Sequence, residues 1–157
     1  TISGHGHLIN GTISLNNSVV EDSFLAKESC SIGMLPDRCS KRSSMRSYIE
    51  KYLDKNKIDF SLQDLQQMFS ISDARIDRAL CGIGIEIWKF SFLAGFLQSK
   101  KIFSFPWLNS NHLFWNMDFS LIFDTIKSFA GIILIPTYQF ERVSSICDEI
   151  IDLRTNK

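Results

Sequence analysis

DFSLQDLQQMFSISDARIDRAL, residues 59–80, carries two short apolar rhythms parted by Phe69-Ser70-Ile71-Ser72. Leu62, Leu65 and Phe69 share one face of a first helix, expected over about residues 61–69. Ile76 and Leu80 share a face of a second helix, expected over about 73–80, with Ile71 plugging the turn. Ser72 stands where a hydroxyl would accept from the free N–H groups of that second helix. A chain that ends a helix after two turns and restarts at once builds either a helix-turn-helix or a buried helical corner. In the first case Asp73, Ala74, Arg75, Asp77 and Arg78 face outward toward a major groove. Arg75 and Arg78, three apart, would lie on one side, and arginine's planar fork suits guanine edges and phosphates. Asp73 and Asp77 would repel phosphate, which favours the plain corner.

Working outward, the chain has 157 residues, with 45% apolar side chains and 13 phenylalanines, enough for one packed domain. Seventeen basic residues cancel seventeen acidic ones, so no global field draws it to nucleic acid or an anionic membrane. The balance breaks locally. Between Arg38 and Lys57 stand seven basic side chains against Glu50 and Asp54, a net of +5, just ahead of the quoted stretch. SSMRSYIEKYLDKNK there places Met45, Tyr48, Ile49, Tyr52 and Leu53 at helical spacing, with Ser44 as cap. Arg42, Arg46 and Lys51 are expected along one broad side of that segment.

At this point SLQDLQQMFSISDARIDRAL resembles the first helix-turn-helix of the AraC/XylS transcriptional regulators. Leu62, Leu65, Phe69, Ile71, Ser72, Ile76 and Arg78 fall on that pattern, and MRSYIEKYLDKN resembles the helix leading into it. The resemblance spans about residues 45–81. It implies double-stranded DNA as partner; with the basic segment ahead of the motif and its outward arginines, the expected contacts are Arg42, Arg46, Lys51, Ser72, Arg75 and Arg78, made by a homodimer.

The rest of the chain reads as follows. His7–Leu15 alternates weakly around Asn10-Gly11, a hairpin signal. Pro36 to Arg46 is polar and basic, a linker between a small N-terminal segment (1–36) and a helical domain (44–157) holding the corner at 61–81. GIEIWKFSFLAGFLQSKK is a largely buried helix that Gly84 and Gly95 weaken. NMDFSLIFDTIKSFAG puts Phe119, Ile122, Phe123, Ile126 and Phe129 on one face, with Gly131 as C-cap. GIILIPTY is strand-like, and the chain closes on a helix with Val143, Ile146, Cys147, Ile150 and Leu153 inward. The expected fold is mainly α: one domain of five to seven helices with a small N-terminal β-hairpin.

Chemistry-bearing patterns are sparse. Cys30, Cys39, Cys81 and Cys147 form no C-x-x-C pair, and reduced thiols in a cytoplasmic setting are expected. Cys30 or Cys39, His112, and Asp118 or Asp124 follow the chain order of some cysteine hydrolases, as any chain with four cysteines and three histidines would. His5 and His7 lack companion metal ligands. No phosphate loop is present, and no cofactor or metal is expected. TISGHGHLINGT lacks the basic leader and apolar run of a signal peptide. The greasy stretch 82–115 is too interrupted by charge to span a bilayer. A chain opening on Thr1 reads as a processed protein or a piece of one. Three functions follow: a cytoplasmic bacterial-type regulator reading DNA through residues 61–81; a non-enzymatic protein-binding module (immunity, chaperone or effector) working through aromatic surface; or a cysteine-dependent hydrolase. The run from Trp88 to Trp115 supplies that aromatic surface if part of it is exposed.

Overall fold

A computed structural model describes residues 13–15, 17–36, 39–40, 42–108 and 118–152. Its elements in chain order are β1 (Ser14–Leu15), β2 (Ser18–Val19), α1 (Asp22–Glu28), β3 (Ser29–Ser31), α2 (Met45–Asn56), α3 (Leu62–Met68) and α4 (Asp73–Ile76). Two 3-10 turns, Leu80–Gly82 and Gly84–Glu86, lead into α5 (Ile87–Leu97), followed by β4 (Ile102–Ser104), α6 (Ser120–Ser128), β5 (Ile132–Leu134) and α7 (Phe140–Val143). Seven α-helices among the described residues meet the expected number, but the architecture is mixed α/β.

What the helical reading lacked is a parallel sheet. β3, β4 and β5 lie side by side in that order, with Cys30 opposite Phe103 and Phe103 opposite Ile133. Parallel neighbours need crossovers: the β3–β4 connection runs through α2 to α5, and the β4–β5 connection through α6. The fold class is corrected accordingly. Each strand is three residues long, and Ser29-Cys30-Ser31 carries no β-branched residue. No alternation of useful length exists to be read.

α5 is the centre of the molecule. Trp88, Phe90, Phe92, Leu93, Ala94 and Leu97 are all buried along it, the all-round apolarity of a helix enclosed on every side. It packs on the sheet because Gly95 has no side chain. A Cβ there would lie 2.7 Å from the Phe103 ring and 3.1 Å from Cys30 Sγ. The residue that weakens the helix locally is what lets it approach the strands. Phe92 continues the contact, its ring centroid 5.6 Å from that of Phe103 and 5.6 Å from that of Phe105. Ile32, only 1% exposed, belongs to the same core, and Gly33 lies against the Trp88 ring. Residues 29–33, read as part of a separate N-terminal segment, thus share the sheet and the core with the helices.

Two local expectations resolve differently, and a third falls outside the described residues. The described hairpin turns through Asn17 (φ +63°), while His7–Asn10-Gly11 lies outside the described residues. At the end of α6 it is Ala130 that adopts the left-handed conformation (φ +55°), and Gly131 N–H donates to the Ile126 carbonyl at 3.0 Å. Gly131 is a glycine for space, since a Cβ would sit 2.5 Å from Ile126 Cγ2. The expected C-terminal helix covers only Phe140–Val143. Val143 is buried, Ile146 and Ile150 are exposed, and Leu153 lies outside the described residues.

Candidate functional site

The helical corner forms from its own signals. Ser61 and Asp64 make a reciprocal cap on α3: the Ser61 hydroxyl accepts from Asp64 N–H (3.1 Å), and the Asp64 carboxylate accepts from Ser61 N–H (2.8 Å). The Ser61 hydroxyl, which also donates to that carboxylate at 2.6 Å, and then the Ser61 N–H hold the Asp64 carboxyl below the usual carboxylate range. Leu65, Phe69, Ile71, Ile76 and Leu80 are buried as the phase of the pattern requires, and Leu62 is half-buried. Between the helices Ser70 sits at φ +51°, and its carbonyl accepts from the Lys89 ammonium at 2.7 Å. The two helices are therefore separate, meeting at Ser70–Ser72.

The second helix, however, is one turn long. α4 ends at Ile76, so Arg75 lies on it and Arg78 on the turn that follows. Four residues rise only about 6 Å, against a major groove about 12 Å wide. The end has identifiable causes. Asp77 turns to α2 and accepts both Arg46 Nε (2.6 Å) and Arg46 Nη2 (3.1 Å). Ala79 bridges Ser44, and Leu80 N–H donates to Ser43 carbonyl at 2.9 Å. Ser72 occupies the cap position of α4, but its hydroxyl makes no capping bond; the Gln66 amide instead donates to the Asp73 carboxylate at 2.7 Å.

The expected cationic side is divided by these contacts. Arg46 is matched by Asp77, whose guanidinium partner depresses the Asp77 carboxyl while the same bond raises Arg46, and Glu50 and Asp73 also act on Arg46. Lys51 is exposed on α2, and its charge opposes the burial that pushes the Cys39 thiol up. Arg42 is exposed in the turn before α2. Arg75 and Arg78 make no ion pair among the described residues. Arg38 and Lys41 lie outside the described residues.

The hydrolase constellation is described only in part, since His112 lies outside the described residues. Cys30 Sγ donates to the Ser91 carbonyl at 3.3 Å, and burial raises the Cys39 thiol, which disfavours the thiolate a nucleophile needs. Asp118 is exposed and engaged with Ser120. His112, like His5 and His7, lies outside the described residues, and no metal-ligand cluster occurs among the described ones. No helix among them is long and apolar enough to cross a membrane.

Most of the aromatic run is core, with Trp88, Phe90, Phe92, Phe103 and Phe105 buried. Phe114 and Trp115 lie outside the described residues. Trp107 is the exception at 57% exposed, and its ring packs 5.6 Å from Tyr138, itself 62% exposed. The two follow the carboxyl ends of β4 and β5. Leu108 N–H donates to the Pro136 carbonyl (3.0 Å) and Thr137 Oγ1 to the Leu108 carbonyl (3.1 Å), so the loops carrying the rings are tied together. Met34, 60% exposed, follows the carboxyl end of β3. Open parallel sheets commonly bind at this end. Tyr138 was invisible in the sequence because its role depends on a strand order that no local pattern encodes. No protein-family model matches the chain and no curated protein resembles it significantly, so the likeness to AraC/XylS regulators stands on residues 45–81 alone.

Proposed function

We propose that this chain is a non-enzymatic protein-binding module that engages its partner through Trp107, Tyr138 and Met34. The observation that carries the reading is the Trp107–Tyr138 pair: two large rings more than half exposed, packed on each other and held by backbone hydrogen bonds. Rigid exposed aromatics lose little conformational entropy on binding and are the side chains that dominate interface energetics. No uncompensated charge is needed for this, in keeping with a chain whose basic and acidic residues cancel.

A second reading, a DNA-binding regulator or a piece of one, draws on the left-handed Ser70 turn and on Arg75 and Arg78 standing without ion pairs among the described residues. One experiment separates the two. A partner is captured with the wild-type chain, purified, and titrated against Trp107→Ser/Tyr138→Ser and Arg75→Ala/Arg78→Ala variants, with a random-sequence duplex titrated in parallel. We expect the aromatic variant to lose at least ten-fold in partner affinity and the arginine variant to keep it. Duplex binding that disappears with Arg75 and Arg78, together with full partner affinity in the aromatic variant, would reverse the assignment.

A further inference from the structure

We infer that the cleft between α3 and α4 binds an extended peptide segment carrying a lysine or arginine, and that this site is separate from the aromatic platform. The cleft measures about 610 Å³ and is open to solvent along Gln63, Gln67, Ser72 and Asp73. Leu62 and Ile71 line its apolar part, and Gln63, Gln66 and Gln67 supply three side-chain amides. Gln66 is committed to Asp73 at 2.7 Å, while the amides of Gln63 and Gln67 have no hydrogen-bond partner among the described residues.

Each amide offers both a donor and an acceptor, as a peptide group does. Gln63 and Gln67 are one helical turn apart, a rise of about 6 Å. Successive peptide groups pointing the same way along a β-strand recur every two residues, about 6.6 Å. The two amides therefore match alternate peptide groups of an extended segment laid along α3. The lining contains one ionised group, the Asp73 carboxylate, which is exposed, accepts from the uncharged Gln66 amide and has Arg46 within electrostatic reach but not paired with it. A basic side chain on the bound segment would meet it, whereas phosphate would be repelled. The inference does not rest on the platform reading.

The test is panning of a random twelve-residue peptide phage library on the intact chain, followed by fluorescence anisotropy with the enriched peptides. Enriched sequences should share a lysine or arginine. Gln63→Ala and Gln67→Ala should each weaken binding about two- to thirteen-fold, the range for one lost hydrogen bond. Asp73→Asn should weaken it and remove its salt dependence. All three side chains are exposed, so the variants should melt with the wild type, and Trp107→Ser/Tyr138→Ser should bind the peptides unchanged. Failure to enrich any peptide, enrichment without a basic residue, or affinity indifferent to Gln63, Gln67 and Asp73 would overturn the inference. So would duplex DNA competing for the cleft with the same dependence on those residues.

Discussion

Gly95→Ala tests the contact between α5 and the sheet. In an isolated helix the change would stabilise by about 1 kcal/mol, because alanine loses less backbone freedom than glycine. Here the new methyl would sit 2.7 Å from Phe103 Cε1 and 3.1 Å from both Cβ and Sγ of Cys30. Phe103 is 1% exposed and stacked on Phe92, so its ring has no room to yield without disturbing the core. Overpacking of this kind costs about 1–3 kcal/mol, and a contact this close to an enclosed ring belongs at the upper end. After the propensity gain, a net loss of about 2 kcal/mol remains, or about 4–8 °C in Tm for a domain of this size. Urea unfolding followed by circular dichroism would measure it, with an unchanged m-value showing that only stability moved. Gly82→Ala is the control. Nothing lies within 4 Å of its Cβ position, so its effect should stay within about 0.5 kcal/mol. If Gly95→Ala were instead stabilising by about 1 kcal/mol, α5 would not be pressed against β3 and β4, and the mixed architecture would be wrong.

Four other outcomes follow from the same contacts. Trp88→Ala should cost about 3–5 kcal/mol as a large buried ring, while Trp107→Ala should leave the urea midpoint nearly unchanged; equal losses would mean that Trp107 is not on the surface. Ser61→Ala removes the hydroxyl of the α3 cap and should cost about 1 kcal/mol, read from thermal melts. Asp64, Asp77 and Asp118 all have depressed carboxyls, chiefly through hydrogen bonds from Ser61, Arg46 and Ser120. Their stabilisation is present above the unfolded-state value of about 3.9 and is lost as pH falls through the lower folded values. The urea midpoint should therefore hold from pH 7 to 5 and drop below about pH 4, and Asp64→Asn/Asp77→Asn should flatten that drop. With a thiol reagent at neutral pH, exposed Cys81 should label first and Cys39 and Cys147, whose thiols burial raises, later; rapid selective labelling of Cys39 would revive the hydrolase reading.

Helices with a strong apolar phase were legible residue by residue. Met45, Tyr48 and Ile49 on α2, Leu65 and Phe69 at the corner, and Ile122, Phe123 and Ile126 on α6 all face the core. The sheet was not, because its evidence is non-local. Ser29-Cys30-Ser31 becomes a strand only through its pairing with Ile102-Phe103-Ser104, over seventy residues later in the chain. Only Gly131–Tyr138, a continuous apolar run ending at Pro136, carried its strand in its own residues. Phe140–Val143 failed in the other direction. A helical phase was present beyond Val143, but an apolar stripe becomes a helix only where something covers it, and Ile146 and Ile150 are exposed while Cys147 is only half-buried.

The corner shows the same difference for charge. A net of +5 over residues 38–57 counts side chains along the chain, while a duplex responds to charges arranged in space. Folding sets Asp77, from the stretch that follows, against Arg46 with two hydrogen bonds, and brings Glu50 and Asp73 within electrostatic reach of it. Counted over Arg46, Arg75 and Arg78 with Glu50, Asp73 and Asp77, the corner carries three charges of each sign. The contact at the end of α4 is also the one that offsets Arg46 on α2, so the length of the second helix and the field around it change together. An apolar pattern can place the inner face of such a corner. What its outer face offers a partner depends on which acidic residue the turn delivers to which base, and here that leaves an amide-lined cleft beside one carboxylate.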